Sequence, residues 1–139
     1  MTQAEAIALL KQEKLTLVLY NEAEREISRE RGVAPLISFL DSGRPCAAFS
    51  AVDKVVGKAA AFLYIALGIK RLHAVTLSES ALSLLSAHAV AVTYETLVPR
   101  ILNRAGDGYC PMESSVLAES DVHSAIEKIR ATRASLRGK

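Results

Sequence analysis

A nearly continuous apolar segment in the middle of the chain constrains the fold more than any other feature. From Ala59 to Leu67 every residue is apolar, and Ile69 extends the run past Gly68. A helix that is apolar on all its sides must be buried, so strands and helices from the remainder of the chain have to cover it. The run is about half of the roughly 20 residues that a membrane-spanning helix requires. We therefore expect a buried core helix and no membrane partner.

The composition predicts an ordinary soluble domain. The chain has 139 residues, of which 50% are apolar and 23% are charged, and we expect one domain over residues 1–139. A net charge of +2 is too small to predict a nucleic-acid partner. The first residues lack the basic and apolar regions of a signal peptide, so we expect a cytoplasmic protein in which Cys46 and Cys110 are free thiols.

Strand-forming and helix-forming segments alternate along the chain. The predicted strands are residues 15–20, 26–28, 46–52, 71–77 and 89–94. The predicted helices are residues 2–13, 32–40, the central helix after Asp53, 78–88, a short one at 95–103 interrupted by Pro99, and a last one capped by Ser120. This alternation predicts an α/β fold, a three-layer α/β/α sandwich with a mixed sheet of four to five strands.

The start of the central helix carries residues that are unfavourable there unless an anion binds. We interpret Asp53 as the N-cap. Lys54 and Lys58 place cations at the positive end of the helix, and Gly57 weakens a helix. Free backbone amides and two cations at a helix start favour an anion, and glycine permits its close approach. The alternative is that both lysines are solvated and that Gly57 only allows close packing.

Two later segments supply further candidate residues. Ser78 and Ser80 open the next helix and either cap it alone or line the same pocket as the lysines. Pro111 suits a first helical position, which places Cys110 at the cap of a short turn. There a thiol could act as a nucleophile and Glu113 could move a proton, although a purely structural role for Cys110 is the competing interpretation.

These segments resemble a known family. The segment from Asp53 to Ala60, with its Gly57-Lys58 pair, and the segment Cys110-Pro111-Met112-Glu113 are similar to an uncharacterised bacterial and archaeal family, domain of unknown function 1893. The resemblance implies a cytidine-deaminase-like fold that lacks the zinc motifs.

The residues themselves argue against zinc chemistry. A zinc deaminase needs a His/Cys/Cys or three-Cys site and a proton-moving Glu. Residues 53–61 and 75–81, which form the two polar turns, contain no His or Cys. His73 falls inside a predicted strand, and Cys46 and Cys110 have no partner at zinc spacing. We therefore expect no metal ligands and no cofactor.

Two functional hypotheses follow. The first is a domain that binds a small anionic ligand, such as a nucleotide or phosphorylated metabolite, or a metal-free enzyme. In it Asp53, Lys54, Gly57 and Lys58 hold the ligand, Ser78 and Ser80 assist, and Cys110 and Glu113 are the candidate reacting groups. The second is a non-catalytic interaction domain whose apolar surfaces build a homodimer or higher homo-oligomer. The sequence names neither a substrate nor a reaction.

Overall fold

One mixed five-stranded sheet forms the centre of the molecule. The computed structural model describes residues 1–137; residues 138–139, which end the predicted domain, lie outside it. The strands are β1 (Leu17–Tyr20), β2 (Arg25–Ser28), β3 (Ser50–Val56), β4 (Arg71–Ser78) and β5 (Ala91–Val98). Their order is β2-β1-β3-β4-β5. Strand β1 is antiparallel to both neighbours, whereas β3, β4 and β5 run parallel. The predicted mixed sheet is confirmed.

Local sequence signals start and end several of the helices. The helices are α1 (Gln3–Gln12), α2 (Ala34–Ser42), α3 (Lys58–Leu67), α4 (Glu79–Ala87), α5 (Pro111–Ser115) and α6 (Val122–Arg137). A capping box starts α1, because Thr2 and Glu5 exchange side-chain and backbone hydrogen bonds. Gly43 and Gly68 end α2 and α3 in the left-handed conformation, which glycine adopts without steric cost.

The two faces of the sheet contact different helices, which gives three layers. On β1 the side chains alternate: Leu17 and Leu19 pack in a core with α2, α3, α4 and α6. Val18 and Tyr20 point to the other face and pack with α1. The structure therefore confirms the predicted α/β/α sandwich, with one helix on one face and most of the helical mass on the other.

The apolar central segment forms α3 and is the most buried helix. Phe62, Leu63 and Tyr64 are fully buried, and Ala59, Ala60 and Ala61 allow neighbouring elements to approach closely. Burying each large apolar side chain contributes about 1.5–3 kcal/mol. The prediction of a buried central helix is confirmed.

The structure corrects the boundary between β3 and the central helix. The predicted strand 46–52 begins and ends too early, because the β-branched residues Val55 and Val56 extend β3 to the edge of α3. Asp53 therefore lies within the strand and is not the N-cap, which is Gly57.

The predicted helix at 95–103 is wrong, because β5 continues to Val98. Thr96 and Val98 are β-branched and pair in parallel with Thr76 and Ser78 of β4, so the sheet extends through this region.

The predicted cap of the last helix is also displaced by one residue. The carboxylate of Asp121, rather than the hydroxyl of Ser120, accepts the Ser124 amide at 2.8 Å.

In the described part of the chain, no helix has the length and hydrophobicity needed to cross a membrane.

Candidate functional site

The starts of α3 and α4 lie side by side at the carboxyl ends of two parallel strands. Val56 at the end of β3 pairs with Leu77 near the end of β4, so Gly57 and Ser78 follow at the same edge of the sheet. Open α/β sheets bind ligands at this edge. The two polar turns of the sequence are therefore neighbours in the fold.

The carboxylate of Glu113 occupies the space between these two helix starts. Its Oε2 accepts hydrogen bonds from the Lys58 amide at 2.8 Å and from the Ser78 hydroxyl at 2.6 Å. The Ser80 hydroxyl lies 3.3 Å from the same oxygen, and Oε1 accepts the Ile101 amide at 2.8 Å. Glu113 is only 2% exposed. The anion expected at the start of α3 is therefore supplied by the chain itself.

The position of Glu113 explains Gly57. A Cβ atom on Gly57 would lie 2.9 Å from Oε2 of Glu113 and 3.0 Å from Cγ1 of Ile101. The backbone of Gly57 is extended, with φ of −98°, so the requirement is for space and not for an unusual conformation. Gly57 therefore allows close packing against Glu113 and Ile101, which is the alternative interpretation of this residue.

Lys58 also binds within the protein. Its Nζ donates to the carbonyl of Leu117 at 2.6 Å and lies 5.8 Å from the centroid of the Phe62 ring. These contacts tie the start of α3 to the turn after α5.

Ser78 has the capping role predicted for it. It is the N-cap of α4, where its Oγ accepts the Ala81 amide at 3.2 Å while donating to Glu113. Ser78 is fully buried and Ser80 partly buried. Both hydroxyls therefore face the Glu113 carboxylate.

A cleft of about 760 Å³ opens beside this junction. It lies between β3, the segment before α2, the loop after β5, and helices α5 and α6. Five of the residues singled out from the sequence line it: Asp53, Lys54, Gly57, Cys110 and Glu113. The other three, Lys58, Ser78 and Ser80, are not among its lining residues.

Three arginines that the sequence did not single out also line the cleft. They are Arg31 before α2, Arg104 in the loop after β5, and Arg133 on α6. Within residues 1–137, neither these arginines nor Lys54 makes a salt bridge. The four cations come from distant parts of the chain, so no local sequence pattern could have grouped them.

Asp53 is a carboxyl group in an unusual environment at this cleft. Its Oδ2 accepts the Tyr64 hydroxyl at 2.5 Å and its Oδ1 accepts the Val55 amide at 3.2 Å. Burial raises the pKa of Asp53 to about 7, although both hydrogen bonds act in the opposite direction. Burial and the adjacent Asp53 also hold the pKa of Tyr64 well above its usual value.

The two thiols differ in environment. Cys110 is partly exposed at the cleft and precedes Pro111, the first residue of α5, as predicted. Cys46 is buried, and burial raises its pKa.

His73 lies in β4, as predicted, with its ring nitrogens 2.7 Å from Thr93 Oγ1 and 3.2 Å from Glu95 Oε2. Among the described residues, no three His, Cys, Asp or Glu side chains form a group that could hold a metal ion.

The fold and the cleft define an α/β sandwich domain with a partly apolar cleft, lined by four cationic and three acidic residues, beside the carboxyl edge of its sheet. Residues 5–132 match the family described as TM1506, domain of unknown function (DUF1893), and the chain belongs to this family. The crystal structure of a DUF1893 family protein, TM1506 from Thermotoga maritima, superposes with a TM-score of 0.83 at 26% identity. The match covers 95% of this chain and 88% of that one. No curated protein matches the sequence.

Proposed function

We propose that this protein binds a small anionic molecule in the cleft beside α3. The observation that carries the proposal is the convergence of Lys54, Arg31, Arg104 and Arg133 on one cleft, without salt bridges to them from residues 1–137. Like charges brought together at a concave surface raise the local concentration of an oppositely charged ligand.

The shape and the remaining lining support a ligand with an apolar body. The volume of about 760 Å³ falls within the range of roughly 300–1,000 Å³ typical of small-molecule sites. Leu17, Val33, Leu36, Ala60 and Met112 supply apolar surface between the charged groups. A phosphorylated or carboxylated metabolite with an aliphatic or aromatic portion has this chemistry.

The proposal assigns different roles to the residues named from the sequence. Lys54 and the three arginines contact the anion, and Cys110, which is exposed at the cleft, is the candidate nucleophile of a metal-free reaction. Glu113 holds the starts of α3 and α4 together. Lys58 is left out of the ligand contacts, because its ammonium group is bonded to Leu117.

We further infer a deaminase-like scaffold that operates without zinc. The order β3, turn, α3, β4, turn, α4, β5 supports this inference, because it resembles the order of elements in the cytidine-deaminase-like fold that the family resemblance implies. In place of metal ligands, the two turns hold Gly57, Lys58, Ser78 and Ser80 around the Glu113 carboxylate.

A thermal-shift comparison tests anion binding. The wild type and the Lys54→Gln and Arg133→Gln variants are screened with phosphate, pyrophosphate, nucleoside monophosphates and benzenesulfonate at constant ionic strength. Lys70→Gln is the matched control, because Lys70 is exposed and does not line the cleft. A ligand at 100 times its Kd stabilises the folded state by about 2.7 kcal/mol.

We expect at least one anion to raise the Tm of the wild type and of Lys70→Gln equally, and to raise that of the two cleft variants less. Equal shifts in all four proteins would remove the cleft from the site. Tm shifts no larger than those that sodium chloride produces would also remove the cleft from the site.

A second candidate function, self-association, is favoured by the exposed edge strand β5. This strand ends the sheet, is eight residues long, and exposes Tyr94 at 43% and Leu97 at 37%. Exposed edge strands pair readily with another chain, and monomeric proteins commonly blunt them with lysine or proline. Strand β5 contains neither residue. We propose that a second copy of this chain pairs there to form a homodimer.

Light scattering after size exclusion tests the dimer. We expect a dimer mass for the wild type and a monomer mass for the Tyr94→Lys/Leu97→Lys variant. Ile27→Lys, at an exposed position on the opposite edge strand, is the control that should remain dimeric. A monomeric wild type at concentrations near 100 μM would contradict this second proposal.

A further inference from the structure

Asp53 stands apart from the other charged groups of the cleft. Its Oδ2 is held by the Tyr64 hydroxyl at 2.5 Å, whereas Oδ1 has only the longer contact of 3.2 Å from the Val55 amide. In the part of the chain that the structure describes, no cation lies within 4.0 Å of this carboxyl group. The side chain is partly exposed and lines the cleft, with one oxygen in a short contact and the other in a long one.

The elements around Asp53 determine its charge state. Its strand partners are apolar, with Leu17 opposite on β1 and Ala74 opposite on β4, and Tyr64 packs against it from α3. The titratable and charged groups of the surrounding cleft are Glu30, Arg31, Lys54, Arg104, Cys110, Glu113 and Arg133. None of the cations in this set forms a salt bridge with the carboxyl group, so only the hydrogen bonds from Tyr64 and the backbone oppose the effect of burial. This burial raises the pKa of Asp53 to about 7.

We propose that Asp53 recognises the ligand as a neutral carboxylic acid that donates a hydrogen bond from Oδ1 to an oxygen of the bound anion. This inference rests on the proposed function, since it names the group that contacts the anion inside the cleft. An ionised Asp53 would repel the anion and could only accept a hydrogen bond. Binding above neutral pH therefore takes one proton from solvent onto Oδ1. The ligand class is an oxyanion with an acceptor oxygen that reaches Asp53 in the cleft.

Calorimetric titration with benzenesulfonate tests the inference, because the charge of a sulfonate does not change between pH 5.5 and 9. We expect the Kd of the wild type to be constant below the pKa of Asp53 and to rise about tenfold per pH unit above it. Titrations at pH 8 in two buffers of different ionisation enthalpy should report uptake of close to one proton.

Two variants separate the roles of Asp53 and its neighbour. Asp53→Asn keeps a neutral hydrogen-bond donor, so we expect it to bind with a Kd independent of pH and without proton uptake. Tyr64→Phe removes a hydrogen bond that lowers the pKa of Asp53, so the pH at which binding weakens should move upward. Circular dichroism spectra would establish that both variants are folded.

The possible failures are distinguishable. Wild-type binding that is independent of pH, without proton uptake, would overturn the role of Asp53 while leaving the anion site intact. Binding that weakens identically in the wild type and in Asp53→Asn would also overturn it. No binding at any pH, or binding insensitive to Lys54→Gln, would instead contradict the proposed function.

Discussion

Asp53 and Glu113 are two acidic residues that the fold treats in opposite ways. Glu113 is buried and receives hydrogen bonds on both oxygens, including two from backbone amides. Asp53 receives one short hydrogen bond, from Tyr64, and has no cationic partner among residues 1–137. A carboxylate rich in donors suits a structural role, whereas one with a raised pKa near neutrality suits proton exchange.

Asp53 should make the protein less stable as the pH rises. Between its ordinary value of 3.8 and the folded value of about 7, the folded state keeps a proton that the unfolded chain releases. The free energy of unfolding then falls by up to about 1.4 kcal/mol per pH unit in this window. Relative to the wild type, Asp53→Asn should therefore gain stability between pH 4 and pH 7, as measured by urea unfolding.

Asp41 provides a control of opposite sign. Its hydrogen bond with Arg130 lowers its pKa, so the stabilisation by Asp41 is present above its usual pKa and is lost as the pH falls. As the pH rises from below the folded-state pKa of Asp41 to its ordinary value of 3.8, Asp41→Asn should lose stability relative to the wild type. Parallel pH profiles for the two variants would contradict the charge states described for Asp53.

The stability of the protein should be sensitive to a single methyl group added at Gly57. Gly57→Ala places a methyl group 2.9 Å from Glu113 and 3.0 Å from Ile101, and overpacking of this kind costs about 1–3 kcal/mol. Glu113→Ala makes room, so the double variant should be less destabilised than the sum of the two single variants in chemical denaturation.

The control for Gly57 is Gly108→Ala, where the added Cβ meets only the flexible end of Asn103 at 3.3 Å. This control should change stability by less than about 0.5 kcal/mol. Strict additivity of the Gly57 and Glu113 changes would show that the two residues are not coupled.

At the level of elements, the short helix α5 holds the larger helices α3 and α4 in register. Glu113 of α5 bonds the first amide of α3 and the cap of α4 at the same time. The sequence predicted the start of α4 and the caps Ser78 and Cys110, because capping preferences are local, but it placed the N-cap of α3 at Asp53 instead of Gly57. It did not predict that Glu113 joins them, since this contact spans 55 residues between Lys58 and Glu113.

Removing the shared cap should therefore cost more than an ordinary cap. Ser78→Ala removes the acceptor for the Ala81 amide and a donor to the buried Glu113 carboxylate, so we expect a loss of about 2–4 kcal/mol in urea unfolding. Ser80→Ala, whose hydroxyl lies 3.3 Å from the same oxygen, should lose less than about 1 kcal/mol. Equal losses would argue against a special role for the Ser78 contact.

For the whole molecule, the sequence predicted the layers better than the cleft. Two sequence features were sufficient to predict the α/β/α sandwich, because both depend on local periodicity. They are the apolar run from Ala59 to Leu67 and the alternation of strands and helices. The strand boundaries failed at 46–52 and after Tyr94, where the β-branched residues of β3 and β5 continue pairing with β4. Of the cleft cations, only Lys54 was found, because Arg31, Arg104 and Arg133 meet through tertiary packing.

In the proposed function the cleft, rather than the junction of the two helix starts, receives the anion. Amide chemical-shift mapping during a titration of the ¹⁵N-labelled protein with benzenesulfonate tests it most directly. We predict that the largest saturable changes occur at Lys54, Val55, Arg104 and Cys110, around the cleft. Changes centred instead on Ser80 and the start of α4, or no saturable changes at all, would show that the cleft does not bind the anion.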